Sequence, residues 1–237
     1  MKNNILKIVA VVLLCWMATE ANAQKLAVGL KGGVAHTSID RTNLGRIDET
    51  YSACNGVDFG FQFKYDLMDW LAIRADLEFM DRTYRIDRNL HYLDQVYTKY
   101  RNTYVMLPVM ADFSFGGEKL RGHLLGGGYI GYWMMGHNSG TTYWMTDYYV
   151  YFNDFHNEKH EFNKEDHRFN AGLVGGISLT YDLNEIVGFN FNALYYYDLV
   201  SHHKGYEHLR DPRYLNTMAF TIGFYSRIIP LNKNAKK

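Results

Sequence analysis

Val57-Asp58-Phe59-Gly60-Phe61-Gln62-Phe63-Lys64-Tyr65 places an apolar side chain at every odd position and a polar residue or glycine at every even one. After one short break, Leu71-Ala72-Ile73-Arg74-Ala75-Asp76-Leu77-Glu78-Phe79 repeats the pattern with the same parity. Successive side chains of an extended strand point to opposite faces, so each stretch reads as a strand with one oily face. Helical spacing fits neither stretch. Six further segments share the period: Leu26–Val34, Val105–Phe113, Leu124–Met134, Phe169–Tyr181, Val187–Tyr197 and Met218–Ile228. Eight strands are therefore expected.

The connections alternate in length. Asp66–Asp69, Gly116–Lys119 and Asp182–Glu185 are short. The stretches near Ile39–Asn55, Asp87–Thr103, Gly136–Asp166 and Ser201–Arg213 are long. This rhythm predicts an all-β fold, an eight-stranded antiparallel up-and-down transmembrane β-barrel. Its short turns face the periplasm and its long loops the exterior.

Alternation alone leaves a soluble eight-stranded barrel open. Volume decides against it. An eight-stranded barrel is only just wide enough inside for side chains, and the apolar face carries far too many Phe, Tyr, Leu and Ile to fit there. The other face carries Gly29, Gly33, Gly60, Gly127, Gly131, Gly172, Gly176, Gly188 and Gly223, which suit a narrow lumen. It also carries both signs of charge: Lys31, Asp58, Lys64, Arg74, Asp76, Glu78, Asp112, Arg121 and Arg227, with Arg168 on the same parity. Buried charges persist when paired and hydrogen-bonded. The expectation is a lumen closed by ion pairs, with Asp76 and Glu78 near Arg74 and with Lys64 or Arg121 across. Tyr65, Trp70, Phe113, Phe115 and Tyr181 beside the short turns fit one interfacial girdle, and Tyr132, Tyr195, Tyr197 and Tyr214 the other. Pro108 lacks a ladder donor, so a bulge is expected there.

Composition narrows the function classes. The chain has 237 residues, 25 basic and 25 acidic, 16% aromatic, with mean hydropathy −0.30. One domain is expected. Zero formal charge argues against nucleic-acid binding through a basic field. Two lysines, the apolar run Ile8–Met17 and Ala21-Asn22-Ala23 form a secretory signal, so residues 1–23 are read as a leader and 24–237 as the barrel domain. Cys54 is then the only thiol of the mature chain, which excludes a disulfide framework.

Tyr104-Val105-Met106-Leu107-Pro108-Val109-Met110-Ala111 resembles a strand of the PorT-like outer-membrane β-barrel proteins. Gly172–Ile177 is similar to that family's later Gly-rich strand, and Gly29-Leu30-Lys31-Gly32-Gly33 to its first. The resemblance implies a small outer-membrane barrel and a link to a secretion apparatus. The chain ends in Asn232–Lys237, and Phe220, Phe224 and Tyr225 are the expected assembly signal.

No motif commits the chain to a reaction. Nine of the ten histidines are assigned to the outer loops or their margins. His156, Glu158, His160, Glu161, Glu165, Asp166 and His167 could ligate a divalent ion, but their spacing imposes no coordination geometry. Ser139 with His137, and Ser201 with His202 and His203, are the Ser/His combinations that a lipid A-modifying enzyme would use. His123, on the lumen face, is read as a satisfied polar residue. The third long loop, Thr141–Phe152, is dense in aromatics and is expected to extend its hairpin above the membrane, and Tyr143, Trp144, Tyr148, Tyr149 and Tyr151 are the expected outer contact residues. The reading is a monomeric, non-enzymatic outer-membrane barrel with no cofactor or metal. Lipid surrounds it, and a protein or glycan is its outward ligand. A lipid A-modifying enzyme and a secretion accessory are the alternatives.

Overall fold

The computed structural model describes residues 26–41, 49–90, 93–146, 149–164, 166–202 and 213–228. The leader, and with it the expected cleavage point, lies outside the described residues, as do Tyr148, Glu165, His203 and His208. Nine strands run in chain order: β1 Leu26–Arg41, β2 Glu49–Met68, β3 Leu71–Leu90, β4 Leu93–Gly116, β5 Leu120–Met145, β6 Val150–Lys159, β7 Phe169–Asp182, β8 Val187–Asp198 and β9 Arg213–Ile228. Among the described residues there is no helix.

Every pairing is antiparallel. The ring runs β4-β3-β2-β1-β9-β8-β7-β5 and closes through β4–β5. Eight strands therefore form the barrel, as the alternation requires. The ninth, β6, pairs with β5 alone, from Met145↔Val150 to His137↔Lys159. It folds the third outer loop into a hairpin that continues β5 beyond the barrel.

The apolar parity faces outward. Leu30, Phe61, Ile177, Phe191 and Ile222 are each about half exposed, whereas Asp58, Asp76, Glu78 and Arg82 are fully buried. This is the reverse of a soluble protein and fits a cylinder whose solvent is hydrocarbon. Trp70 stacks on Phe113 at 6.1 Å, at the short-turn end of the wall.

The inward face packs large against small. Gly60 and Gly223 pair with Lys31 from the two flanking strands. Gly33 pairs with Asp58 and Gly172 with both Tyr129 and Asp198. Each inward glycine makes room for a long neighbour, so the lumen fills without widening. At Gly33 an added Cβ would stand 1.9 Å from the Phe220 carbonyl oxygen.

Two expectations need correction. The outer ends of β3 and β4 are strands where loops were expected, because β3 and β4 keep pairing to Leu90↔Leu93. A membrane strand needs roughly 9–11 residues, and the 24 and 26 residues of β4 and β5 carry the sheet beyond the bilayer. Pro108 forms no bulge. Its pairing to β5 is unbroken, from Leu107↔Ile130 through Val109↔Gly128. On the β3 side Ala75↔Val109 and Glu78↔Met106 keep the same register across it. The missing N–H is absorbed as a gap in the ladder, with the ring buried inside.

Candidate functional site: the lumen and the outer hairpin

The lumen divides into three levels. At the short-turn end a cavity of about 860 Å³ opens, lined among others by Lys64, Asp112, Arg121, His123, Asp182 and Arg227. Lys64 Nζ lies 3.2 Å from Asp112 and 3.6 Å from Asp66. His123, buried, is 2.6 Å through Nδ1 from Asp112 and 2.9 Å through Nε2 from Thr180. Arg227 pairs with Asp182 at 2.7 Å, and the Tyr225 hydroxyl donates to the same carboxylate. Arg121 donates to the Gly117 carbonyl at 3.2 Å.

The middle level is the densest in charge. Lys31 reaches across from β1 to Asp76 at 2.7 Å and to Glu78 on β3. Arg74 clasps Asp76 through Nε and a terminal nitrogen, and its other terminal nitrogen donates to Asn192 at 2.8 Å. The Tyr196 hydroxyl contacts both oxygens of Glu78, at 2.8 and 2.7 Å. Asn190 donates to Gln62 at 2.9 Å and Asn192 to Thr221 at 3.0 Å.

The upper level centres on Arg82, fully buried. It donates to both oxygens of Asp198 at 2.8 and 3.0 Å. Tyr129 and Asn170 also donate to that carboxylate. Above it sits an aromatic lid. The Trp133 ring is flanked by His202 at 4.3 Å, Phe162 at 4.8 Å and His160 at 5.0 Å. The Tyr104 hydroxyl is 2.7 Å from His202 Nδ1.

The expected lumen residues are largely brought together, and Arg74 holds Asp76 as expected. The residue opposite Asp76 and Glu78 is Lys31, not Lys64 or Arg121. Lys64 sits one level nearer the periplasm and Arg121 stands at the cavity mouth. Arg168 is not in the lumen. It lies over the Tyr132 and Phe162 rings at 4.6 and 4.1 Å and donates to the Trp133 carbonyl. Sequence reasoning missed Arg82, Asp182 and Asp198. All three continue the inward parity, yet they stand at or past the ends assigned to their strands.

Several histidines also move. His36, His137 and His156 are strand residues, and His202 is buried against Tyr104 and Trp133. Ser139 accepts from the Asn157 amide at 2.9 Å, and Ser201 from the Arg213 amide at 3.2 Å. Of the loop residues considered as ligands, His160 meets Asp166 at 2.9 Å and His167 meets the Ser201 carbonyl at 3.1 Å. Among the described residues no three histidine, cysteine or acidic side chains are grouped to hold a metal.

Outside the barrel, β4 pairs with β5 no further than Thr141. The hairpin tip beyond it is two-stranded. Trp144 stacks on Tyr151 at 4.4 Å, and Trp144, Met145, Tyr149 and Phe152 are exposed, Tyr149 to 67%. Tyr143 is half-buried.

Ring closure, outward oil and inward charge specify a barrel in an outer membrane, and the model of the outer membrane protein beta-barrel domain matches residues 22–203. The chain belongs to this family. It is a β-barrel protein of the bacterial outer membrane. No curated protein matches it. Among solved structures, it is similar to the outer membrane protein OprG of Pseudomonas aeruginosa at 14% identity, covering 85% of this chain and 95% of that one, with a TM-score of 0.46. The outer membrane protein AlkL, solved in lipid bilayers, is 13% identical over 87% of this chain and 91% of its own, with a TM-score of 0.47. Ail, the attachment invasion locus protein of Yersinia pestis, is 12% identical over 84% and 97%, with a TM-score of 0.40.

Proposed function

We propose that this family member is a monomeric, non-enzymatic surface barrel. Its lumen is closed by ion pairs, and its β5–β6 hairpin presents an aromatic recognition surface to an extracellular protein or glycan. The observation that carries the reading is the hairpin tip. A protein that only needed to close its barrel would gain nothing from projecting Trp144, Met145, Tyr149 and Phe152 into water on a strand pair with no other partner among the described residues. Exposed apolar area of this kind marks contact surfaces, and Trp and Tyr are favoured there. The middle and upper levels, where Lys31, Arg74 and Arg82 meet their carboxylates, support a closed interior. The PorT-like affiliation, and cleavage of the leader after Ala23, belong to the same proposal.

The test screens the folded barrel against a glycan array and a panel of purified extracellular proteins. The wild type retains at least one probe, and Trp144→Ala with Tyr151→Ala weakens it by about tenfold or more while folding persists. Equal retention by both proteins contradicts the reading, and so does no retention by the wild type. In planar bilayers the barrel gives no stepwise conductance. Discrete channels would contradict the closed lumen.

A further inference from the structure

The middle level of the lumen does not balance. Lys31 and Arg74 face three carboxylates, Asp58, Asp76 and Glu78. The two cations are committed to Asp76, Glu78 and Asn192. Glu78 has the Tyr196 hydroxyl as well. Asp58, on β2, is fully buried, and neither of its carboxylate oxygens has a hydrogen-bond partner. The charges that act on it most strongly are Glu78, Lys31, Asp76 and Arg74. Among the described residues of the neighbouring levels, Arg82 holds Asp198, Lys64 holds Asp112 and Arg227 holds Asp182, while Arg121 stands at the cavity mouth on the Gly117 carbonyl.

A buried ionised carboxylate with no donor is among the least tolerable groups in a protein interior. The deficit is one unit of positive charge, and it falls where two acceptor oxygens are unused. We infer that Asp58 is the lumen's site for one small monovalent cation, either a proton on the carboxyl oxygen or a desolvated alkali ion beside it. A divalent ion would reverse the imbalance instead of cancelling it. The ionic plug thereby depends on a charge taken from solution. This inference rests on the closed-lumen reading.

The test uses the full barrel refolded in phosphatidylcholine vesicles. Aspartate labelled with ¹³C at its side-chain carboxyl is read by infrared spectroscopy at neutral pH. If the cation is a proton, the wild type shows a neutral-carboxyl band that Asp58→Asn removes. If it is an alkali ion, that band is absent. The urea midpoint of the wild type then rises as sodium or potassium chloride replaces choline chloride at constant ionic strength, and Asp58→Asn abolishes the rise. Either result supports the site and identifies its cation. A wild type with neither signature overturns it, and that outcome needs no variant to fold. A signature that persists in Asp58→Asn also overturns it. Channel conductance would instead remove the closed-lumen reading, and it is measured independently of both signatures.

Discussion

Arg82 shows how much of the interior hangs on single residues. Its guanidinium has no exposure, and Asp198 sits 116 residues away in sequence. Removing one member of such a pair leaves a charge buried without compensation, which costs about 3–5 kcal/mol. Arg82→Met should therefore lower the unfolding free energy by roughly that amount in a denaturant titration. Arg82→Met with Asp198→Leu should recover a large part of the loss, because two apolar groups replace the pair. A double variant as unstable as the sum of the singles would contradict this account. Asp58 is the counterpart, a carboxylate whose compensating charge is not supplied by the chain.

Which charges face inward was legible from parity alone, and Lys31, Asp58, Arg74, Asp76, Glu78 and Asp112 all follow it. Their pairing across strands was not legible. Lys31 and Glu78 lie 47 positions apart, and only the register Lys31↔Gly60 and Gly60↔Glu78 brings them level. His202 was misplaced for a related reason. A histidine between polar neighbours reads as solvated, and nothing local signals that Tyr104 and Trp133 will receive it.

At the scale of the strand, alternation located all eight members of the ring, while β6 was legible only as an extended hairpin without bounds. Its sequence, Val150-Tyr151-Phe152-Asn153-Asp154, has no clean period because both its faces are exposed. The outer ends of β3 and β4 were hidden. Beyond the bilayer the outward face meets water and can be polar, so Arg85, Asp87 and Arg101 broke the oily pattern without ending the strand. Pro108 was misread because a bulge is only one remedy for a missing donor.

The glycines of β5 separate the two faces of one strand. A Cβ at Gly127 would lie 2.0 Å from the Val109 carbonyl oxygen, whereas one at Gly126 meets nothing within 4 Å. Gly127→Ala should destabilise the barrel by about 1–3 kcal/mol through overpacking. Gly126→Ala should stay within about 0.5 kcal/mol of the wild type. Unfolding midpoints of the two variants, measured in the same micelles, check the difference. Equal effects would mean that the inward face is not close-packed.

For the whole molecule, the chain inverts the usual distribution of polarity. Leu30, Phe59, Ile177 and Ile222 are more than half exposed, while five acidic residues (Asp58, Asp76, Glu78, Asp112 and Asp198) are at most 2% exposed. The inversion is consistent only with a closed sheet, since an open edge in hydrocarbon would leave backbone groups without partners. A closed barrel of this kind should resist detergent until it is heated. Unboiled and boiled samples should therefore migrate differently in a detergent gel, and identical migration would count against closure.

The most direct test asks the lipid which residues it touches. Selectively methyl-labelled wild-type barrel in lipid bilayers can be probed by magnetisation transfer from the acyl-chain protons. The account predicts strong transfer to the methyl groups of Leu124, Ile177 and Ile222, and none to those of Met80, Met106 and Met110. Transfer to the three methionines with silence from the leucine and isoleucines would place the oily face inside and contradict it.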